Sequence, residues 1–349
     1  MTDLHPLTAG MLEASASGYA AAAAAALHRR ERGTAAAAAA MAPEQRAYFS
    51  QRILELAAAV RMQTPELFVR RAAWLRRALL ARGENEAPLR NALLSLREAL
   101  AQELPTDVGA TAIAPIDAAL EALAAPPQPD SDALAAEKPG DRLALRYLEA
   151  CVGAEPERAI GIVLDALREL EPARIITEVL APAEREIGRL WHAGEAMVAE
   201  ERLVTETTRQ LLTLIGHRSA APARFERTVI AACVSGNIHD LGVRMAAELY
   251  RLAGWRVLFL GTTLPANELA RAAATFDADL VIVNATLVTQ LRDAADVVES
   301  VRRSSGRTRI LVGGAAFDEA PDAWRAVGAD GYAASLDTVV AAGRALIGE

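Results

Sequence analysis

The spacing of hydrophobic residues changes once along the chain, near residue 227. Before that point apolar residues recur every three or four positions, which predicts amphipathic helices. After it, helical segments alternate with five short apolar runs: TVIAACV (228–234), RVLFLG (256–261), DLVIVN (279–284), TRILVGG (308–314) and GYAAS (331–335). Five strand–helix units predict a parallel sheet with helices on both faces, and the continuous apolar character of the runs indicates that the sheet is buried.

The helical part divides at a polar segment. APPQPDSDALAAEKPGD (125–141) is rich in proline and acidic residues, a composition typical of a linker. The predicted organisation is an N-terminal helical domain (1–123), a linker (124–141), a four-helix bundle (142–217) and a C-terminal domain (218–349). The predicted fold class is therefore α/β plus all-α, with a five-stranded, doubly wound, flavodoxin-like parallel sheet at the C-terminus.

Composition narrows the class of function. The 349 residues carry a net charge of −8, which argues against a chain-wide surface for nucleic acid or anionic membranes. Two cysteines cannot form a disulfide framework, and the alanine run at 20–26 is too short to span a bilayer. We expect a cytoplasmic protein that binds neither nucleic acid nor membrane.

One of the five histidines, His239, lies where a ligand is expected. Its loop, SGNIHDLG, follows the first predicted strand, and open α/β sheets bind ligands outside the carboxyl ends of their strands. Gly236 and Gly242 allow the backbone to approach closely, and Asn237 and Asp240 stand near the imidazole. A neutral imidazole held by an amide or carboxylate is a good metal ligand. A loop histidine that caps the next helix is the alternative.

Three further predicted strand ends carry small or hydroxyl-bearing residues. GTTLP (261–265), NATLVT (284–289) and VGGAAF (312–317) would meet the histidine loop at one edge of the sheet. Such residues leave room for a long polar ligand. Four compatible strand ends therefore predict one ligand pocket.

These motifs resemble the cobalamin-binding domain of methionine synthases, corrinoid carriers and cobalamin photoreceptors, whose pattern is Asp-x-His-x-x-Gly, then Ser-x-Leu, then Gly-Gly. The resemblance implies that cobalamin binds with its own base displaced, that His239 is the lower cobalt ligand, and that the nucleotide tail enters the sheet. The expected site contains seven further residues in this domain: Asn237, Asp240, Gly242, Asn284, Thr286, Gly313 and Gly314. Asn237 replaces the family's aspartate, which implies a less electron-rich His239, and Asn284 and Thr286 replace serine and leucine.

A second motif lies in the predicted bundle, within IGRLWHAGEAMVAEERLVTE. Trp191 and His192 end one predicted helix, Gly194 breaks it, and Glu201 is expected about two turns into the next. Alone, the tryptophan would be a core residue and the histidine a helix end favoured by the dipole. CarH-like photoreceptors have a signature of tryptophan, nine residues and then Glu-His, and this segment resembles it. Trp191 and Glu201 match, and Arg202 stands where the signature has its second histidine.

That resemblance implies a light sensor rather than an enzyme. Trp191 and Glu201 would pack around the adenosyl group of adenosylcobalamin, and His192 would ligate cobalt once light has broken the Co–C bond. Arg202 would mark a different contact on the same face. A corrinoid methyl carrier that serves a partner methyltransferase is the alternative, although such carriers cap the corrin with small apolar residues. A scaffold that has lost its ligand is a third.

The N-terminal helices lack the wing and short recognition helix of a helix-turn-helix domain, which precedes the bundle in CarH-like repressors. The segment PELFVRRAAWLRRALLARG resembles instead the N-terminal region of photocobilins, which implies biliverdin as a second chromophore. Arg70, Arg71, Arg76 and Arg77 would pair with bilin propionates or form a solvated face. Residues 15–105 carry too little bulky apolar surface to form a deep core alone. We therefore expect a homo-oligomer, a dimer, that responds to light and signals to an unidentified partner.

Overall fold

The computed structural model describes residues 4–32, 43–81, 85–125, 134, 139–218, 227–320 and 322–349. Its contacts divide the chain into two compact units, Met1–Pro129 and Asp130–Glu349. Within the described ranges, no helix is both long and apolar enough to cross a membrane.

The N-terminal unit has six helices among its described residues: α1 (Leu4–Ala14), α2 (Ala16–Arg32), α3 (Pro43–Arg61), α4 (Glu66–Ala81), α5 (Ala87–Glu103) and α6 (Thr106–Ala122). Buried alanines of α2 let it approach α3 and α5 closely. Eight bulky side chains fill the interior: Phe49, Ile53, Leu56, Leu67, Phe68, Leu93, Leu96 and Leu100. The prediction that these helices cannot form a deep core of their own was therefore wrong, because small alanines on one helix make room for large residues on its neighbours.

Two of the arginines proposed as bilin anchors belong to this unit's internal contacts. Arg71 Nε lies 3.1 Å from a carboxylate oxygen of the buried Glu55. Arg76 is only 8% exposed and donates to the carbonyl of Ala125 at 2.6 Å. The solvated-face alternative was wrong for Arg76, and both guanidinium groups already have partners. The side chain of Arg77 lies outside the described residues.

The C-terminal unit begins with the predicted bundle. Its helices are α7 (Pro139–Val152), α8 (Pro156–Ala166), α9 (Pro172–Ile175), α10 (Ala181–Ala193) and α11 (Val198–Arg218). A π-helical segment, Ile176–Leu180, joins α9 to α10, so these two form one continuous helix and the bundle has four. Proline opens α7, α8 and α9, a position where its missing N–H would have no helical partner.

The predicted five-stranded parallel sheet is confirmed. Its strands are β1 (Thr228–Cys233), β2 (Arg256–Gly261), β3 (Leu280–Asn284), β4 (Arg309–Gly313) and β5 (Gly331–Ala333), in the order β2–β1–β3–β4–β5. The helices that follow them are α12 (Leu241–Leu252), α13 (Ala266–Thr275), α14 (Leu291–Ser304), α15 (Ala315–Glu319), α16 (Ala323–Ala326) and α17 (Leu336–Ile347). The strand order reverses between β1 and β3, the point where such sheets bind ligands.

The register of the sheet aligns the predicted ligand residues. Cys233 pairs with Asn284, Asn284 with Gly313, and Gly313 with Ala333, all in one row at the carboxyl edge. One helix was predicted wrongly: DEAPDAWRAVG forms the end of α15 and then α16, not a single helix. Ala320, which precedes a proline, has φ and ψ of −133° and 78°, outside the helical region that a following proline disfavours.

Candidate functional site

A cavity of about 420 Å³ lies between the carboxyl edge of the sheet and helix α10. From the sheet domain it is lined by Gly242, Asn284, Thr286, Gly313 and Gly314, and from α10 by Glu184 and Arg185. The structure therefore brings five of the sequence-predicted residues together in one space. Because the bundle supplies part of the wall, a ligand in this cavity would contact both domains of the unit.

The His239 loop presents its imidazole outward at the end of β1. His239 is exposed, while its backbone is held on both sides. Its N–H donates to Asn237 Oδ1 at 3.0 Å, and its carbonyl accepts from Asn284 Nδ2 at 3.2 Å. Among the described residues, none hydrogen-bonds the imidazole. A fixed backbone with an uncommitted ring nitrogen is suited to axial ligation of a metal.

Asn237 fixes the loop rather than the imidazole. It is fully buried, and its Nδ2 donates to the Asn284 carbonyl and to Thr286 Oγ1, both at 3.2 Å. Its carbonyl oxygen accepts from the backbone of His239 and not from the ring, so the expected Asn237–imidazole bond is not what the structure shows. The Asn237 amide nitrogen lies toward the end of β3 because two acceptors are available there, the Asn284 carbonyl and Thr286 Oγ1.

Asp240 joins the loop to the bundle. The buried carboxylate accepts a hydrogen bond from Arg209 of α11 and lies 3.7 Å from Arg244. Burial raises the pKa of Asp240, but the Arg209 and Arg244 guanidinium groups outweigh it and leave the pKa below its usual value. Asp240 is predicted from the motif as a cofactor residue, and in the structure its contacts are with arginines.

The Gly-Gly pair lines the cavity, and Gly314 has no room for a side chain. Gly314 has φ of +99°, in the region that favours glycine, and a Cβ there would collide with the Asn284 amide and the Ala285 carbonyl. A Cβ on Gly313 would approach the Ala333 carbonyl to 3.4 Å. Because both glycines line the cavity, they present backbone rather than side chains to it.

The end of the bundle carries the second motif. Trp191 is 43% exposed at the end of α10, and Gly194 stops that helix with φ of 77°. Helix α11 begins at Val198, where the Glu200 carboxylate accepts from the Met197 N–H at 2.6 Å. Glu201 therefore lies in the first turn, and the prediction of two turns was wrong because this cap starts the helix late.

The charged pair after that cap lies at the surface. Arg202 Nε is 3.8 Å from Glu201 Oε2, and the Arg202 side chain is the more exposed of the two. His192, next to Trp191, is half-buried. The structure thus places Trp191 and His192 at one end of α10 and Glu201 and Arg202 at the adjoining end of α11.

Apolar side chains are left exposed on both sides of this region. On the bundle these are Trp191, Met197 (65% exposed) and Val198, and on the sheet edge Ile238 (64%) and Leu287. None of the five lines the 420 Å³ cavity, but exposed apolar side chains grouped on short segments indicate surfaces that another molecule covers. A broad, flat macrocycle with an apolar face and polar edges fits this distribution.

Two polar residues that position the site were missed in the sequence. The buried Gln290 accepts the backbone N–H groups of Thr286 and Leu287 at 3.0 and 3.1 Å, which fixes the loop after β3. Glu184 lines the cavity and accepts from Thr205 and Thr208 of α11. Burial raises the pKa of Glu184 to about 7. Its spacing of seven residues from Trp191, two helical turns, was the available signal.

The donor set fits a corrin. Within the described residues, no three histidine, cysteine, aspartate or glutamate side chains cluster as a metal site. A corrin carries its own metal and would need from the chain a donor atom, for which the exposed His239 imidazole is available. The cavity, its glycine-lined wall and the exposed apolar side chains are features that the remainder of a cobalamin would require.

Comparisons with known proteins agree with this geometry. Models of the B12 binding domain match residues 227–341 and 143–215. The chain is 26% identical to dimethylamine corrinoid protein 2 of Methanosarcina acetivorans, over 57% of this chain and 93% of that protein. It is 32% identical to the HTH-type transcriptional repressor CarH of Myxococcus xanthus, over 48% of this chain and 56% of the repressor.

A solved structure shares the fold. The monomethylamine corrinoid protein of Methanosarcina barkeri matches with a TM-score of 0.50 and 18% identity, over 59% of this chain and 97% of that one. The matched length of the repressor CarH is about half of that protein, so its activity as a whole does not transfer with the match. The chain carries two B12-binding domains and belongs to the superfamily of cobalamin-binding proteins.

Proposed function

We propose that the protein is a cobalamin-dependent light sensor, rather than an enzyme, that binds adenosylcobalamin base-off. The observation that carries this proposal is the exposed indole of Trp191, followed by His192 and joined through one turn to Glu201. An exposed indole leaves a large apolar area in water, and a bulky upper ligand would cover it. A methyl group is too small to do so.

Each residue has a defined task in this proposal. His239 donates to cobalt from the sheet, and Asn284, Gly313 and Gly314 line the space for the nucleotide tail. Trp191 excludes water from the upper face, and Glu201 accepts hydrogen bonds from hydroxyl groups of the adenosyl ligand. When bound, adenosylcobalamin supplies a Co–C bond that light breaks. His192 is the donor proposed for the upper face afterwards.

A corrinoid methyl carrier is the second candidate. It is supported by the relatives named dimethylamine corrinoid proteins, which this chain matches over more than nine-tenths of their length. In that function the same cavity and His239 would hold the corrin, and a partner enzyme would exchange the methyl group. Trp191 would then have to move away from the upper face.

Biliverdin is a separate proposal for the N-terminal unit, suggested by the resemblance to photocobilins. Arg71 and Arg76 do not supply its anchors, because Glu55 and the Ala125 carbonyl already occupy them. Other side chains would have to bind the propionates. Adding biliverdin to the protein and recording long-wavelength absorbance tests this proposal, and a spectrum equal to that of free biliverdin removes it.

The output is proposed to be a change of assembly, with a homodimer as one of the two states. The bundle end supports it, since covering or releasing Trp191, Met197 and Val198 changes the apolar surface available to a second copy. A ligand shifts such an equilibrium only by its differential contacts with the two states. Light scattering on the loaded protein, in darkness and after illumination, measures this, and equal masses in both would refute it.

The test of the sensor itself is spectroscopic. The protein is loaded with adenosylcobalamin in the dark, illuminated with green light and followed by absorbance. We expect a stable photoproduct whose spectrum differs between the wild type and His192→Ala, because the variant lacks the upper-face imidazole. No change on illumination, together with methyl transfer from an added donor to an acceptor, would establish the carrier function instead.

A further inference from the structure

Five polar side chains inside the bundle form a continuous chain of hydrogen-bonding groups. Tyr147 Oη lies 2.8 Å from Thr208 Oγ1, which lies 2.6 Å from Glu184 Oε1. Thr205 Oγ1 lies 3.1 Å from Glu184 Oε2 and 3.4 Å from Glu201 Oε1. The chain therefore runs from the core of the bundle, through α10, to the first turn of α11.

Glu184 is the central member, and both of its oxygens face hydroxyl groups. Tyr147 and Thr208 are fully buried, and Thr205 is nearly so. Buried polar groups of this kind are hydrogen-bonded in native proteins, so the direction of each hydrogen is constrained. Burial is the main reason that the pKa of Glu184 is raised to about 7, and the nearby Glu201 carboxylate raises it further.

The hydrogen count allows two arrangements. With Glu184 ionised, Thr208 and Thr205 both donate to it, and Thr205 has no hydrogen left for Glu201. With Glu184 neutral, its O–H donates to Thr205, and the Thr205 hydroxyl turns to donate to Glu201. In both arrangements Thr208 donates its hydrogen to Glu184, so Tyr147, whose hydroxyl also lies 3.3 Å from the Val204 carbonyl, is the donor in the Tyr147–Thr208 bond. One proton on Glu184 thus decides whether Glu201 receives a hydrogen bond.

We propose that Glu184 is a positioning residue for Glu201. Neutral Glu184 completes a one-way chain from Tyr147 to Glu201 and holds the Glu201 carboxylate through Thr205. Ionised Glu184 removes that hydrogen bond and repels Glu201. This rests on the proposed function, in which Glu201 contacts the upper ligand, and it adds a dependence of adenosylcobalamin binding on one proton.

Other charged and titratable groups lie near Glu184 on several elements. They are Glu201 and Arg209 on α11, Tyr147 and Cys151 on α7, and Arg185 and Asp318, which line the same cavity. Arg209 lowers the pKa of Glu184 only weakly, and its guanidinium group donates to Asp240. The Asp318 carboxylate accepts a hydrogen bond from the Tyr332 hydroxyl at 2.5 Å.

The first test uses the protein without cofactor. Glutamate labelled with ¹³C at the carboxyl carbon is incorporated, and the signals are followed by NMR across the neutral range. We expect one carboxyl, absent in Glu184→Gln, to titrate near pH 7. Its pKa should fall in Glu201→Gln, where the repelling charge is gone. If the Glu184 signal titrates together with those of the surface glutamates, or if its pKa is unchanged in Glu201→Gln, the proposed chain of hydrogen bonds is wrong.

The second test measures adenosylcobalamin affinity in the dark at about pH 6 and about pH 8, on either side of the Glu184 pKa of about 7. Relative to Glu184→Gln, the wild type should bind equally at the lower pH and about three- to tenfold more weakly at the higher pH, the effect of one lost hydrogen bond. Glu184→Gln keeps that bond at both pH values because its amide donates to Thr205 as the neutral acid does. Both proteins contain the proposed cobalt ligand His239, so its own response to pH cancels in this ratio. Thr205→Val should be weaker than Glu184→Gln by the same factor at both pH values.

Glu178→Gln is the matched control. Glu178 lies just before α10 and pairs at the surface with Arg174 at 2.8 Å, so this variant should keep the wild-type pH dependence. A Glu184→Gln protein that keeps it as well overturns the proposal. If neither the wild type nor any variant binds adenosylcobalamin, the proposed function is wrong. The NMR titration does not depend on the cofactor and still tests the chain of hydrogen bonds.

Discussion

The two sides of the candidate site are built in different ways. On the sheet side, the His239 loop is fixed by side chains bonding to backbone, as when Asn284 donates to the His239 carbonyl and Gln290 accepts from the loop after β3. On the bundle side, Glu184 of α10 accepts from Thr205 and Thr208 of α11, and Glu201 lies next to Thr205 on its own helix. Backbone contacts tie the sheet side to its fold, whereas the bundle side depends on hydrogens and charges that can rearrange.

The largest effect should come from the rigid side. Gly314→Ala forces a Cβ onto a residue with φ of +99°, against the Asn284 amide and the Ala285 carbonyl. We expect a loss of about 3 kcal/mol in the free energy of unfolding, from backbone strain and collision together. Thermal unfolding measures it. Gly306→Ala is the control, since nothing lies near a Cβ there. Equal losses in both variants would contradict the lack of space at Gly314.

His239→Ala tests the sheet side without disturbing its backbone. The imidazole has no hydrogen-bond partner among the described residues, so the variant should fold as the wild type does. Cobalamin affinity should fall about ten- to a hundredfold, and the spectrum of the base-off, histidine-ligated form should be lost. His217→Ala, at the exposed end of α11, is the control. An unchanged spectrum in His239→Ala would remove the lower ligand from the site.

Glu184→Gln makes the corresponding test on the bundle side, in the protein without cofactor. The folded pKa of about 7 lies above the ordinary value of 4.5, so ionisation opposes folding. Wild-type stability should therefore fall as the pH rises between these two values and stay low above them. The variant should lack this fall and gain about 1–2 kcal/mol at neutral pH and above, after allowance for solvent screening. Denaturant unfolding at several pH values measures it; a parallel fall in both proteins contradicts it.

What the sequence could predict follows the same division. The five strands and the ligand edge were predictable because β-branched runs and glycines act locally and the parallel register then aligns Asn284 with Gly313. The direction of the Asn237 amide was not, since it depends on acceptors supplied by β3. Glu184 was missed because its role depends on hydrogen bonds from Thr205 and Thr208, which lie on another helix. The late start of α11 was not predictable either, because it depends on which of several neighbouring glutamates accepts the N–H at the start of the helix.

Asp240 links the two sides, and its effect should be the smallest. Burial opposes its ionisation, but Arg209 and Arg244 hold the pKa of Asp240 below the ordinary value of 3.8. The stabilisation is therefore present above that ordinary value and is lost as the pH falls through the lower, folded pKa. Asp240→Asn should cost about 1 kcal/mol at neutral pH and should remove this part of the acid dependence.

Asp322→Asn provides the comparison, because Asp322 pairs with Arg325 at the surface and should contribute almost nothing. Arg209→Gln should reproduce the neutral-pH loss of Asp240→Asn, and the double variant should lose less than the sum, as contacting partners do. Strictly additive losses would mean that the His239 loop and helix α11 are stabilised independently. Coupling between them would mean that a change in the His239 loop reaches the helix that carries Glu201, through the Asp240–Arg209 ion pair.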